Sequence, residues 1–195
     1  MICSTDYTVL RQQLLAKRKN LSVSQRIQCS QILNNTLLPF IEQHFPKGSL
    51  ITAFWPFGDE IDIKETLYQL DKKGYILALP RVVERDAPLR FYYWTSQTPM
   101  KIGHFNIPEP QMTEEIQHIP DLVLTPLLGF THHKDRLGYG KGYYDRTLSK
   151  WLQQKENLAT IGISWDEGLI DDPSYQPAPH DVPLQRILTP SGWVA

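Results

Sequence analysis

An α/β fold with a mainly parallel central sheet is predicted by three features of the 195-residue chain. Short apolar runs at 49–54, 75–79 and 160–164 alternate with stretches of helical periodicity, the pattern that βαβ units require. The run at 122–124 is apolar at every position, as a strand covered on both faces must be. No internal repeat and no linker-like stretch interrupts the order, so residues 1–195 are expected to form a single domain.

Taken in order, Leu10, Leu14 and Leu15 predict an amphipathic helix over about 5–19 with its bases on the wet face. Ser22 then restarts a helix as N-cap, with Gln25 as its capping-box partner. Ile27, Ile32, Leu33 and Leu37 continue an apolar stripe towards Pro39. A strand is predicted over 49–54, after Lys47 and Gly48. Ile63, Leu67 and Leu70 line the next helix, which Gly74 closes as the residue after the cap. Strands follow at 75–79, ended by Pro80, and at 89–94, where aromatics alternate. The remaining strands fall at 122–124, 160–164 and, last, 187–189. The 15 prolines exceed the usual share of about one residue in twenty. Five of them (Pro173, Pro177, Pro179, Pro183, Pro190) predict an ordered but irregular strap across the sheet near the C-terminus.

Lys plus Arg number 20 and Asp plus Glu 21, a net charge of −1, with 11% aromatic residues. That balance excludes a protein whose affinity rests on a strongly basic surface, and it excludes disorder. Residues 1–26 nevertheless carry five bases (Arg11, Lys17, Arg18, Lys19, Arg26) against Asp6, which leaves the rest of the chain at −5. The two cysteines, Cys3 and Cys29, cannot build a disulfide framework and read as reduced thiols of a cytoplasmic protein. No apolar run approaches the roughly 20 residues of a membrane span, and the first residues lack a signal peptide's apolar core. A monomer acting on a small molecule, with neither nucleic acid nor membrane as partner, is expected.

The richest stretch is DLVLTPLLGFTHHKDRLGYGKGYYDR, residues 121–146. Gly138, Gly140 and Gly142 recur at every second position, so successive N–H groups are free to turn toward one anion. A helix starting near Gly142 adds its positive end. Lys141 supplies a point charge for phosphate, and Arg136 a bidentate clamp. The spacing is neither a Walker A loop nor a Rossmann fingerprint, and a flexible strand-to-helix turn is the plain alternative. Asp145, in the first turn of that helix, either complements the helix dipole or joins a second carboxylate on Mg²⁺. Asp181, bracketed by Pro179 and Pro183, is the candidate for that second carboxylate.

With TPLLGF before it, RLGYGKGYYDR resembles the glycine–tyrosine loop of the 5-formyltetrahydrofolate cyclo-ligase (methenyltetrahydrofolate synthetase) family. FGDEIDI at 57–63, LPR at 79–81, NIPEP at 106–110 and HDVPLQRIL at 180–188 resemble further motifs of that family, in its order. The resemblance implies a three-layer α/β/α domain similar to sugar-phosphate isomerases and CoA transferases. It implies a ligase, forming a C–N bond in ATP-dependent closure of 5-formyltetrahydrofolate to 5,10-methenyltetrahydrofolate through a phosphorylated formyl group. ADP and phosphate are released, and ATP and Mg²⁺ are required.

Residue by residue, the resemblance makes Arg136, Leu137, Gly138, Tyr139, Gly140, Lys141, Gly142, Tyr143 and Tyr144 the ATP phosphate loop. Lys141 and Arg136 act on the transferring phosphoryl. Tyr139 to Tyr143 also face the formyl group and pterin, Glu60 is the folate-binding acid, and Trp55 is a wall of the substrate pocket. Arg11 contacts ATP, while Asp145 and Asp181 hold the metal. Two positions depart from the family pattern. Tyr7 stands where many members carry a nucleotide-contacting Lys, and Trp165 stands where a smaller or different aromatic is expected, which points to an altered pocket rim.

Two other readings stay open: another phosphate-ligand enzyme on the same fold, sugar-phosphate isomerase-like, and a non-catalytic folate-binding protein. The adjacent His132 and His133 read as a solvated pair without a third metal ligand. Phe91, Tyr92, Tyr93 and Trp94 lack the basic groove of a single-strand nucleic-acid platform and read as core and pocket lining.

Overall fold

A computed structural model describes residues 7–195; Cys3 and Asp6 lie outside the described residues. The chain runs α1 (Tyr7–Lys19), α2 (Val23–His44), β1 (Leu50–Thr52), α3 (Lys64–Lys72), β2 (Ile76–Arg81), β3 (Arg90–Trp94), β4 (Met100–Ile102) and β5 (Pro108–Pro110). It continues through β6 (Leu122–Pro126), β7 (Gly129–Phe130), β8 (Arg136–Leu137), α4 (Tyr143–Leu152), β9 (Ala159–Ile163), β10 (Arg186–Thr189) and β11 (Gly192–Trp193). Seven strands form one sheet in the order β11-β10-β9-β6-β1-β2-β3. The five inner strands are parallel, and the edge strands β3 and β11 pair antiparallel.

Alternation along the strands separates two cores. Leu122 and Leu124 face α2 and α3, packing with Leu33, Leu37, Leu67 and Leu70. Val123 between them faces α4 and packs with Leu148 and Leu158. Helices therefore cover both faces, as parallel strands require. In α2 the capping box forms as expected, with Ser22 Oγ accepting from Gln25 N and Gln25 Oε1 from Ser22 N.

The stripe of α2 differs from expectation. Ile27 and Ile32 are exposed, and the buried face is Ser30, Leu33, Asn34, Leu37 and Ile41. The helix also runs past Pro39, because Leu37 and Ile41 anchor both sides of the proline in the core. Lys73 caps α3, and Gly74 follows it at φ +86°, a backbone angle glycine adopts freely. The bases of α1 do not all face water: Arg18 is 2% exposed. The ribbons β4–β5 and β7–β8 and the strand β11 were not expected. Residues 171–185 form the irregular strap, which crosses near α1, where Tyr7 donates to the Gln176 carbonyl and packs edge-on to Tyr175.

Candidate functional site

A cavity of about 700 Å³ opens at the carboxyl ends of β1, β2 and β6. Crevices of α/β sheets lie at this end because loops diverge there around parallel strands. Trp55 and Glu60 line one side, the glycine loop another, and Ala178, His180 and Asp181 of the strap a third. Every residue singled out from the sequence as a site residue lies on this wall.

Residues 138–142 join β8 to α4. Gly140 sits at φ +85° and Gly142 at φ +65°, where a Cβ would crowd the following carbonyl. Gly138 is not in that region. Its missing side chain matters through space, since a Cβ there would meet Arg136 Nη1 at 3.2 Å. Gly142 is the N-cap of α4 and offers no side-chain cap, so the first N–H groups of the helix are left to a ligand. Arg11 Nε donates to the Gly138 carbonyl at 2.9 Å, and its guanidinium lies against Gly140. Lys141 is exposed at the cavity, and its carbonyl accepts from Arg146 Nη2 at 2.6 Å.

Arg136 and Asp145 are joined in an ion pair, with side chains only 3% and 13% exposed. The residue expected to clamp phosphate thus holds the residue expected to hold metal. Asp145 Oδ1 also accepts from Val182 N at 3.3 Å, which draws the strap and Asp181 to the start of α4. Asp181 Oδ2 accepts from Ala178 N at 2.9 Å, while His180 Nε2 is 3.8 Å from Oδ1. Among the described residues no group of three His, Cys, Asp or Glu side chains converges as a metal cage. Asp145 and Asp181, each with one oxygen not tied to the backbone, fit Mg²⁺, which takes one or two carboxylates and completes its shell with phosphate and water.

Glu60 lines the same cavity and is joined to the glycine loop. Its Oε2 accepts from Phe57 N and its Oε1 from the Tyr139 hydroxyl, both at 3.0 Å. Burial pushes the Glu60 carboxyl up, opposed by these two hydrogen bonds and by the Arg18 charge. Tyr139 accepts in turn from Arg18 Nη1 at 3.0 Å, and Arg18 Nη2 donates to the Leu127 carbonyl. Desolvation also raises the phenols of Tyr139 and Tyr144, so both keep their protons at neutral pH. Trp55 is half-buried against Trp94, its ring under Lys64 Nζ at 5.7 Å.

Trp165 does not itself line the cavity: it is 1% exposed, and its Nε1 donates to the Asp59 carbonyl at 2.7 Å. From inside the core the indole anchors the 57–60 turn, whose residues line the cavity. Tyr7 lines the cavity. Phe91 and Trp94 are core residues and do not reach this cavity. His132 and His133 are exposed.

Two further side chains, Arg18 and Glu109, join the cavity without a role expected from the sequence, and Tyr144 of the loop is placed unexpectedly deep. Arg18 lies four residues after Leu14 and seven after Arg11, a spacing that was the available signal for one shared helix face. Glu109 is 9% exposed in the cavity wall, accepting from Val82 N and His104 N, with Gly103 packed where a side chain would strike its carboxyl. The Tyr144 hydroxyl is buried without a partner among the described residues. Only tertiary placement reveals these two.

A family model of 5-formyltetrahydrofolate cyclo-ligases matches residues 4–190. A 5-formyltetrahydrofolate cyclo-ligase of Haemophilus influenzae is 31% identical, over 92% of this chain and 95% of its own length. One from Mus musculus is 26% identical, over 92% of this chain and 91% of its own. A solved 5,10-methenyltetrahydrofolate synthetase from Mycoplasma pneumoniae superposes with a TM-score of 0.76 at 27% identity, covering 95% of this chain and 99% of that one. Its counterpart from Aquifex aeolicus gives 0.75 at 25% identity, covering 96% and 91%.

Proposed function

The chain belongs to the 5-formyltetrahydrofolate cyclo-ligase family, and from that premise we propose that it closes 5-formyltetrahydrofolate to 5,10-methenyltetrahydrofolate with consumption of ATP. The observation that carries the proposal is one cavity lined both by an N–H-rich loop with Lys141 and by the Glu60 carboxylate. An anionic phosphate chain and a pterin that must meet need those two chemistries in one cavity.

The chemical difficulty is that a formamide oxygen leaves poorly. In the reaction the formyl oxygen attacks the γ-phosphorus and ADP departs. N10 then attacks the activated formyl carbon, the C–O bond breaks to release phosphate, and the N10 proton is lost, with the departing phosphate as its acceptor. Positioning and charge neutralisation suffice, without a protein nucleophile. The first N–H groups of α4 and Lys141 stabilise charge on the transferring phosphoryl. Arg11 reaches the phosphates from α1, and Glu60 accepts from pterin N–H groups beside Trp55. Asp145 and Asp181 would hold Mg²⁺, which supplies further charge neutralisation at the phosphates. Arg136 keeps Asp145 in place from the buried side. The low cysteine count fits a reducing, cytoplasmic setting, and among the described residues no helix is long and apolar enough to cross a membrane.

The test is to mix purified protein with 5-formyltetrahydrofolate and follow the ultraviolet absorbance of the methenyl product with and without Mg-ATP. Product formed only with Mg-ATP supports the reading. No product with fresh protein rejects it, and folate binding alone would favour a sequestering protein.

A further inference from the structure

Resting on the folate and nucleotide reading above, we propose that Tyr139 competes with folate for Glu60, with Arg18 as its positioning residue, so that nucleotide binding at the glycine loop releases the folate acid. Three side chains from three elements form one line. Arg18 of α1 donates through Nη1 to the Tyr139 hydroxyl, and Tyr139 of the loop donates to Glu60 Oε1, each at 3.0 Å. Arg18 is fixed on its far side by the Leu127 carbonyl and is 2% exposed. Its cation polarises the phenol and strengthens the hydrogen bond to the carboxylate.

Each Glu60 oxygen thereby already accepts one hydrogen bond, because Phe57 N holds Oε2. A pterin reaching Glu60 through N–H donors meets Tyr139 already on Oε1. The residues on either side of Tyr139 both touch Arg11: its Nε donates to the Gly138 carbonyl, and its guanidinium lies against Gly140. Phosphate is a stronger acceptor for a guanidinium than a backbone carbonyl. A nucleotide that draws Arg11 away therefore frees both neighbours of Tyr139. Gly140, in the left-handed region at φ +85°, supplies the backbone freedom for the phenol to swing off. Two arrangements with different affinities for phosphate and for folate are what linkage requires, and the coupling is reciprocal.

The experiment measures the dissociation constant of 5-formyltetrahydrofolate by calorimetry, with and without a non-hydrolysable ATP analogue and Mg²⁺. In the unaltered protein the analogue tightens folate by about tenfold, the scale of one charge-assisted hydrogen bond in exchange. Tyr139→Phe binds folate about tenfold tighter without the analogue, and the analogue's effect falls below about twofold. Arg18→Lys retains the coupling, while Arg18→Met loses it in the same direction as Tyr139→Phe. Weaker folate binding in Tyr139→Phe, or undiminished coupling, overturns the proposal. If the unaltered protein makes methenyl product with Mg-ATP yet these constants do not move, this inference fails alone. If it makes none, the functional reading fails first.

Discussion

Arg136 and Asp145 neutralise each other almost out of water, the guanidinium 3% and the carboxylate 13% exposed, at the junction of β8 and the first turn of α4. Removing one partner of such a pair strands the other charge, at a cost of roughly 3–5 kcal/mol. Arg136→Met is expected to lower the melting temperature by about 10 °C in calorimetry. The double variant Arg136→Met with Asp145→Leu is expected to regain most of that loss, since a matched apolar pair leaves no buried charge. An unchanged melting temperature in the single variant would show that water reaches the pair.

Lys141 makes the opposite prediction because it is exposed and sits beside the uncapped start of α4. A charge used mainly in the transition state costs rate when lost, by about 10²- to 10³-fold. Lys141→Ala is expected to lose kcat on that scale while the melting temperature stays within about 1 °C. Steady-state kinetics paired with thermal unfolding checks both halves. A loss of stability of the same size as in Arg136→Met would assign the lysine to the fold.

Asp181 is reached only through the strap, held by its own bond from Ala178 N and by the Val182 N contact to Asp145. Asp181→Asn keeps an acceptor for Ala178 N but removes a charge from the cation's donor set. The expected outcome is an apparent Mg²⁺ requirement raised by about tenfold or more with folate affinity unchanged, measured by titrating Mg²⁺ at saturating ATP. An unaltered Mg²⁺ titration would take Asp181 out of the metal site.

Much of the fold was legible because local and tertiary preferences agree. The capping box at Ser22 and Gln25, the Gly74 stop and the apolar run at 122–124 each state one answer. Where they disagree, packing wins. Pro80 does not end β2: β1 pairs it only as far as Ala78, so beyond that point Pro80 has an open side and needs no donor there, while β3 still pairs Pro80 with Phe91. The glycine loop announced itself, since φ beyond +60° at Gly140 and Gly142 demands that residue type. The partners of its charges did not. Arg136 reads as a phosphate clamp along the sequence, and only the β8–α4 turn brings Asp145 onto it. Arg18 reads as a wet-face base, and only the docking of α1 on the cavity aims it at Tyr139.

Glu60 sets the pH dependence. Burial raises its folded-state pKa above the unfolded value, so the folded protein binds a proton more tightly there than the unfolded chain does. Stability then falls as pH rises from the ordinary carboxylate range through the raised value, and below that range the residue contributes no difference. Glu60→Gln removes the ionisation; its single amide oxygen keeps the bond from Phe57 N, while its NH₂ faces the Tyr139 hydroxyl, which accepts instead of donating. The variant is expected to be more stable than the parent at neutral pH, with the gap closing as pH is lowered towards about 4. Denaturant unfolding at a series of pH values measures the gap. Folate binding should weaken at least tenfold in the same variant, because an amide oxygen is a poorer acceptor for pterin N–H groups than a carboxylate. A variant that gains stability and loses folate affinity would mark Glu60 as a site whose function is held against the fold's own preference. One that loses stability at neutral pH would mean its hydrogen bonds outweigh its burial.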